Sequence, residues 1–217
     1  MDSVGGYVSG PAAATEPRRL ALEHVASASA IVLVEGVTDQ IAVETLATRC
    51  GRDLAGDRVV VAPMGGAHAI GTFLQAIADR DAPATVVGGL CDRGEAAVFR
   101  SALARAGFGS LRSDADLEAI GFFVCDADLE AELIRAAGPA LVMSLIDDHG
   151  ELGSFRSLQQ QTVWRSRPVE EQLHRFFRAK ARRMHRYARV LTETVALDRM
   201  PRPLLGVLGL EHPVRGR

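Results

Sequence analysis

Four short runs of consecutive apolar residues alternate along the chain with longer segments in which apolar residues recur at helical spacing. Unbroken apolar runs are typical of strands covered on both faces, and their alternation with helices is typical of βαβ units. The pattern therefore predicts an α/β fold with a parallel sheet. The predicted strands cover residues 30–34, 58–62, 84–91 and 121–125, and the helices cover 16–27, 38–50, 67–79, 95–106 and 129–137.

The strand pattern ends near Pro139, and only helical segments are predicted beyond it. We therefore expect an α/β domain over residues 16–138 and a helical C-terminal extension over residues 139–217. Residues 1–15 are rich in small side chains and predict a flexible tail. The helices expected in the extension cover residues 140–147, 170–177, 180–196 and 204–210.

Acidic residues follow three of the predicted strands. Glu35 follows the first strand and Asp39 lies one helical turn later, Asp92 ends the third strand, and Asp128 and Glu130 follow the fourth. The carboxyl ends of parallel strands meet at one edge of a sheet, so we expect these five carboxylates to converge. Crowded carboxylates repel one another unless a cation lies between them, which predicts a divalent metal site. An acid in such a place can also cap a helix, and Asp128 is open to that interpretation.

Charge is distributed unevenly along this chain of 217 residues, which has a net charge of −2. Residues 1–164 carry a net charge of −10, whereas residues 165–189 carry nine basic and two acidic side chains. This basic segment is either a solvated helix face or a surface for phosphate groups.

Other features of the composition bear on location. The three cysteines, which include no Cys-x-x-Cys pair, indicate a reducing cytoplasm and no zinc site. No apolar run approaches the ~20 residues that span a bilayer, and the N-terminus lacks the features of a signal peptide. We therefore expect a cytoplasmic protein that is not bound to a membrane.

Four short motifs contain these acids and the turn after the second strand. They are Glu35-Gly-x-x-Asp39, the turn Gly65-Gly66, Leu90-Cys91-Asp92 and Asp128-x-Glu130. Together they resemble a Toprim domain, the metal-binding module of topoisomerases, bacterial primases and some nucleases, over about residues 29–137. Asp128-x-Glu130 resembles most the Toprim of the OLD (overcoming lysogenization defect) family of nucleases. The sequence has no Gly-x-x-x-x-Gly-Lys-[Ser/Thr] motif, so we expect a stand-alone form without the ATPase of that family.

The resemblance implies cleavage of DNA phosphodiesters that depends on Mg²⁺ or Mn²⁺. It implies that Glu35 and Asp39 hold one metal, that Asp92 is shared, and that Asp128 and Glu130 hold a second. Glu35 is alternatively the general acid or base of the reaction. The expected function is a DNA endonuclease with DNA as its partner.

Two departures from the family pattern leave a second function open. The expected Asp-x-Asp reads Asp92-Arg93-Gly94, and Met184 stands where a lysine is expected. The catalytic cation is then sought nearby, at Lys180, Arg182 or Arg183. Contacts to nucleic acid are expected from Arg182, Arg183 and Arg186. The alternative function is a non-catalytic module that binds nucleic acid or a partner ATPase, and the oligomeric state is not predicted.

Overall fold

A four-stranded parallel sheet forms the centre of the protein in the computed structural model, which describes residues 3–4, 7–8, 16–25, 27–79 and 85–209. The sheet consists of β3 (Ala30–Val34), β4 (Val59–Pro63), β5 (Val86–Asp92) and β6 (Phe122–Cys125), in the order β4-β3-β5-β6. All three strand pairs are parallel, which confirms the predicted fold class. Near the N-terminus β1 (Ser3–Val4) and β2 (Tyr7–Val8) form a short antiparallel pair.

Helices cover both faces of the sheet because side chains alternate between the faces along each strand. Ile31 and Leu33 of β3 face one core, and Val32 and Val34 face the other. The first core is closed by α1 (Glu16–Val25), α3 (Ile70–Ala78), α4 (Ala96–Arg105) and α5 (Asp114–Ala119). The second is closed by α2 (Val37–Arg49), α6 (Leu129–Ala137), α7 (Pro139–Asp148), α8 (Leu152–Gln159), α9 (Val169–Arg178), α10 (Ala181–Thr194) and α11 (Arg202–Leu208).

The C-terminal helices share the second core with the sheet. Phe177 of α9 and Tyr187 of α10 stack with their ring centroids 4.4 Å apart, and both are buried. A Cβ atom at Gly206 of α11 would lie 2.3 Å from the ring of Phe123 in β6, so only glycine permits this approach. The helical extension is therefore confirmed as a layer that packs against the sheet.

The predictions do not include helices α5 and α8, nor strands β1 and β2, which lie in the segment predicted as a flexible tail. Both helices are short and have few buried apolar positions. Most of the predicted tail over residues 1–15, the first residue of the strand predicted over 84–91 and the end of the last predicted helix lie outside the described residues. The domain boundary at residue 138 stays a prediction. Within the described ranges no helix combines the length and apolarity that crossing a membrane requires.

Candidate metal centre

The first group of acids lies where β3 and β5 end. Oε1 of Glu35 accepts a hydrogen bond of 2.9 Å from the backbone N–H of Asp92, which ties the two strand ends together. Asp39 lies in the first turn of α2, and its Oδ2 accepts a 2.9 Å hydrogen bond from the N–H of Gly36. The strand ends and the start of α2 thus hold these three side chains at one edge of the sheet.

The second group of acids follows β6 through a strained turn. Ala127 has φ of +68°, a left-handed conformation that non-glycine residues rarely adopt, and its carbonyl accepts a 3.1 Å bond from the N–H of Arg93. The turn places Asp128 at the N-cap of α6, where its Oδ1 accepts a 2.8 Å bond from the N–H of Ala131. Glu130 then lies in the first turn of α6.

Four of the five acids have a raised pKa, because burial and the charges of neighbouring acids outweigh the hydrogen bonds and basic groups near them. Burial raises the pKa of Asp92 to about 8, and the charges of Glu35, Asp128 and Glu130 add to this effect. Burial and then the charge of Glu130 raise the pKa of Asp39 well above its usual value. Burial also raises the pKa of Glu130 and of Glu35. The charge of at least one other acid contributes to the raised pKa of each of these four side chains.

Asp128 differs because two basic side chains of α9 hold it. Its Oδ2 lies 2.7 Å from Nε2 of His174 and 2.8 Å from Nη1 of Arg178. Burial alone would raise the pKa of Asp128, but the hydrogen bonds from His174 and Ala131 and the charge of Arg178 lower it. The side chain of Asp128 is only 8% exposed. This acid is therefore already hydrogen-bonded to His174 and ion-paired with Arg178.

Glu35, Asp39, Asp92 and Glu130 fit a divalent cation by their chemistry. They supply hard carboxylate oxygens at one edge, and their uncompensated charge is what Mg²⁺ or Mn²⁺ would neutralise. No set of three or more His, Cys, Asp or Glu side chains among the described residues is close enough together to form a finished metal site. The four acids therefore suit a divalent cation by the type and the charge of their oxygen atoms. Asp128 suits it least because both of its oxygens already accept hydrogen bonds.

Gly94 leaves a position without a carboxylate, as the sequence indicates, but the next residue carries one. Glu95 ends the short 3-10 turn Arg93–Glu95 that follows β5. The charge of Glu95 contributes to the raised pKa of Glu35, so the two carboxylates lie near each other. Glu95 is a further acid at this edge that the prediction did not include.

A groove of about 260 Å³ opens beside Glu35, on the side of β4. Met184 and His185 of α10 line it together with Gly36 and Pro63. Met184 and Glu35 therefore line the same groove, and the equivalence of Met184 to a lysine stays a prediction. His185 is 5% exposed, and its Nδ1 has no hydrogen-bond partner within the part of the chain that the structure describes.

The predicted basic residues are placed in two different ways. Arg183 is 6% exposed, its guanidinium contacts both oxygens of Glu151 and the carbonyl of Phe176, and it lies 3.7 Å from the ring of Phe176. This geometry leaves Arg183 no open face for a phosphate, so we remove it from the catalytic and nucleic-acid-binding candidates. Lys180, Arg182 and Arg186 are exposed and remain candidates.

His174 and Arg178 are the functional candidates that sequence reasoning missed. They lie four residues apart on α9, on the side that reaches α6, next to the buried residues Leu173 and Phe177. This i, i+4 spacing of two basic residues beside an apolar stripe was the available signal. The contact itself joins residues 46 and 50 positions apart, so no local pattern identifies Asp128 as the partner.

Residues 28–88 match the family model described as overcoming lysogenization defect protein-like, TOPRIM domain. The fold is similar to that of the C-terminal region of the Xanthomonas campestris pv. campestris OLD protein phased with platinum, with a TM-score of 0.66 and 21% identity over 86% of this chain and 93% of that one. It is also similar to the C-terminal region of the Burkholderia pseudomallei OLD protein, with a TM-score of 0.58 and 18% identity over 85% and 97% of the two chains. A search of curated proteins finds no match.

Proposed function

We propose that the chain, of which residues 28–88 match the OLD-like TOPRIM family model, is a DNA endonuclease that depends on Mg²⁺ or Mn²⁺. The observation that carries the proposal is the group of four uncompensated carboxylates at the carboxyl edge of the sheet, Glu35, Asp39, Asp92 and Glu130. We further propose that the protein works in the cytoplasm and that DNA is its partner.

Each acid has a role that follows from its contacts. Oε1 of Glu35 accepts the hydrogen bond from the backbone N–H of Asp92. We therefore assign the other oxygen of Glu35, Oε2, to the cation or to a transferred proton. Asp39 keeps one oxygen on the N–H of Gly36, which fixes its direction at the start of α2. A divalent cation at these oxygens would activate water and stabilise the charge of the leaving oxygen.

DNA is held, in this proposal, by the exposed basic residues of the C-terminal helices. Lys180 precedes α10, and Arg182 and Arg186 are exposed on it. The groove beside Glu35 is bordered by Met184 of the same helix, and Lys180 lies four residues earlier, at its N-cap. Exposed Lys and Arg side chains bind phosphates without reading sequence, so we expect binding with little sequence preference.

Nicking of supercoiled plasmid tests the proposed activity. With Mg²⁺ or Mn²⁺ we expect nicked and linear products, and Glu35→Gln or Asp92→Asn should slow cleavage by about 10³-fold or more, since several kcal/mol of transition-state stabilisation depend on the centre. Glu193→Gln, an exposed acid on α10, is the matched control and should cleave at the rate of the parent protein. Cleavage that survives both substitutions at the edge would contradict the assignment.

The second candidate function is a non-catalytic module that binds nucleic acid or a partner ATPase. It is favoured by Gly94 and by Met184, an apolar side chain in the groove beside Glu35. In that case the protein would retard DNA in a binding assay, or bind the ATPase, without cutting the plasmid under any metal condition.

A further inference from the structure

The surroundings of Asp128 show that the protein supplies positive charge to one half of the acidic edge. Oδ1 is engaged by the N–H of Ala131, and Oδ2 by His174 and Arg178. Three of the roughly four lone-pair positions of a carboxylate are thus in use. A metal ion could bind Oδ2 of Asp128 only by displacing at least one of the hydrogen bonds that His174 and Arg178 make to it.

The guanidinium of Arg178 lies at the carboxylate that a second metal would need. Its Nη1 is 2.8 Å from Oδ2 of Asp128, whose side chain is only 8% exposed. A divalent cation bound at this oxygen would lie next to the positive charge of Arg178 and would be repelled by it.

The position of Arg178 is fixed by the helix that carries it. His174 and Arg178 lie on the same side of α9, and α9 is anchored in the core by Leu173, Phe176 and Phe177. Both side chains end on the same oxygen of Asp128, which makes the contact more rigid than a single exposed ion pair. The side chain of Arg178 is nevertheless 52% exposed, so N–H groups other than those of Nη1 can reach an incoming anion.

We propose that the centre binds one divalent cation, at Glu35, Asp39, Asp92 and Glu130, and that the guanidinium of Arg178 takes the place of a second cation and contacts the scissile phosphate. Asp128 is then a positioning residue for Arg178 and not a metal ligand. This inference rests on the proposed nuclease function for the phosphate contact, whereas the number of bound metal ions is independent of it.

Calorimetric titration of the full chain with Mn²⁺ tests the number of sites directly. We expect one Mn²⁺ per chain. Asp92→Asn should abolish binding, whereas Asp128→Asn should keep one Mn²⁺ with an affinity within about threefold, because asparagine retains the N-cap bond to Ala131. Two Mn²⁺ per chain, or equal losses in Asp92→Asn and Asp128→Asn, would overturn the proposal.

Substitution of Arg178 separates its charge from its contacts. Arg178→Gln removes a positive charge beside the acids, so Mn²⁺ should bind about three- to tenfold more tightly, while plasmid cleavage falls by about 10²-fold or more. Arg178→Lys keeps the charge and should retain the affinity of the parent protein. Arg175→Gln, an exposed arginine of the same helix, is the matched control and should change neither quantity.

The two proposals fail in different ways. One Mn²⁺ per chain that binds more tightly in Arg178→Gln, with no cleavage by the parent protein, would support the single-cation centre and reject the nuclease. Efficient cleavage with two Mn²⁺ per chain, or unchanged cleavage in Arg178→Gln, would support the nuclease and reject the role of Arg178.

Discussion

Buried carboxylates occur in two kinds of surroundings in this protein. At the ends of β3 and β5, Glu35, Asp39 and Asp92 have raised pKa values, because burial and mutual repulsion outweigh their hydrogen bonds. In the C-terminal helices, Glu151 is surrounded by Arg183, Arg186 and Tyr187, and its pKa is lowered despite partial burial.

The difference shows that burial alone does not distinguish a structural acid from a candidate ligand. Glu151 receives hydrogen bonds from Arg183 and Tyr187, so its charge stabilises the fold. The side chain of Asp92 has no such hydrogen bonds among the described residues, and its charged form is costly until a cation is added. Asp128 combines the two cases, because it lies at the sheet edge but has its partners on α9.

The largest expected effect is that of metal binding at the sheet-edge acids on the stability of the protein. At a Mn²⁺ concentration about 1,000 times the dissociation constant, binding should add about 4 kcal/mol to the free energy of unfolding. For a chain of this size that corresponds to a rise in melting temperature of about 8 to 16 °C. Differential scanning fluorimetry with and without Mn²⁺, and after addition of EDTA, measures this change.

Two variants show where that stabilisation comes from. Asp92→Asn should lose most of the rise in melting temperature that Mn²⁺ causes. Glu151→Gln should have a lower melting temperature without metal but should show the full rise when Mn²⁺ is added. An equal gain in Asp92→Asn and the parent protein would mean that Mn²⁺ binds elsewhere.

The next largest effect is expected at the paired acid. Glu151→Gln keeps the side-chain volume but leaves the buried guanidinium of Arg183 without its counter-charge, so we expect a loss of about 2 to 3 kcal/mol in urea unfolding. Glu118→Gln, which breaks the ion pair with the exposed Arg202, is the control and should cost less than about 1 kcal/mol. Equal losses would show that burial of Arg183 is energetically unimportant.

The sheet and the acids at its edge could be predicted because both depend on local signals. β3 agrees with its predicted bounds and β6 begins one residue later, since each is an apolar run that ends next to acids or a turn. Parallel strands then bring Glu35 and Asp92 to the same edge, whatever the rest of the chain does. Helix α5 also has a local signal, because Ser113 and Asp116 form a reciprocal cap at its start.

The partners of the acids could not be predicted because they come from distant helices. The ion pairs of Asp128 depend on how α9 packs against α6, and the placement of Arg183 depends on a glutamate 32 residues earlier. A count of basic residues treats Arg178, Arg182 and Arg183 alike. Packing makes one a neighbour of the acidic edge, leaves one on the surface and buries the third.

A smaller effect should appear in the pH dependence of the metal-free protein. The pKa of Asp92 is about 8 in the folded state and near 3.8 in the unfolded chain. Between these pH values Asp92 therefore keeps its proton in the folded state and loses it in the unfolded chain. Stability should therefore fall as the pH rises from about 4 to about 8 in EDTA, by at least about 1 kcal/mol. In Asp92→Asn this decline should be smaller when urea unfolding is measured across the same range.

Glu151 should show the opposite sign. Its folded pKa is lowered, so its contribution is present above about pH 4.5 and is lost as the pH falls toward the folded pKa. Acid unfolding of Glu151→Gln should lack this part of the loss. A parent protein whose stability rises between pH 5 and pH 8 without metal would contradict the contrast between the two acids.

The smallest expected effect concerns the exposed basic residues of the basic segment, such as Arg182, in contrast to the buried Arg183. If the basic segment neutralises about five phosphates, the logarithm of DNA affinity should fall with the logarithm of salt concentration at a slope of about −4 to −5. Arg182→Gln should reduce the magnitude of that slope by about 0.9, the contribution of one phosphate, when binding is measured by fluorescence anisotropy. Arg202→Gln removes an arginine paired with Glu118 outside the basic segment, and the slope should then stay as in the parent protein. A slope that Arg182→Gln leaves unchanged would indicate that the segment docks on an acidic protein surface, as the partner-binding alternative requires.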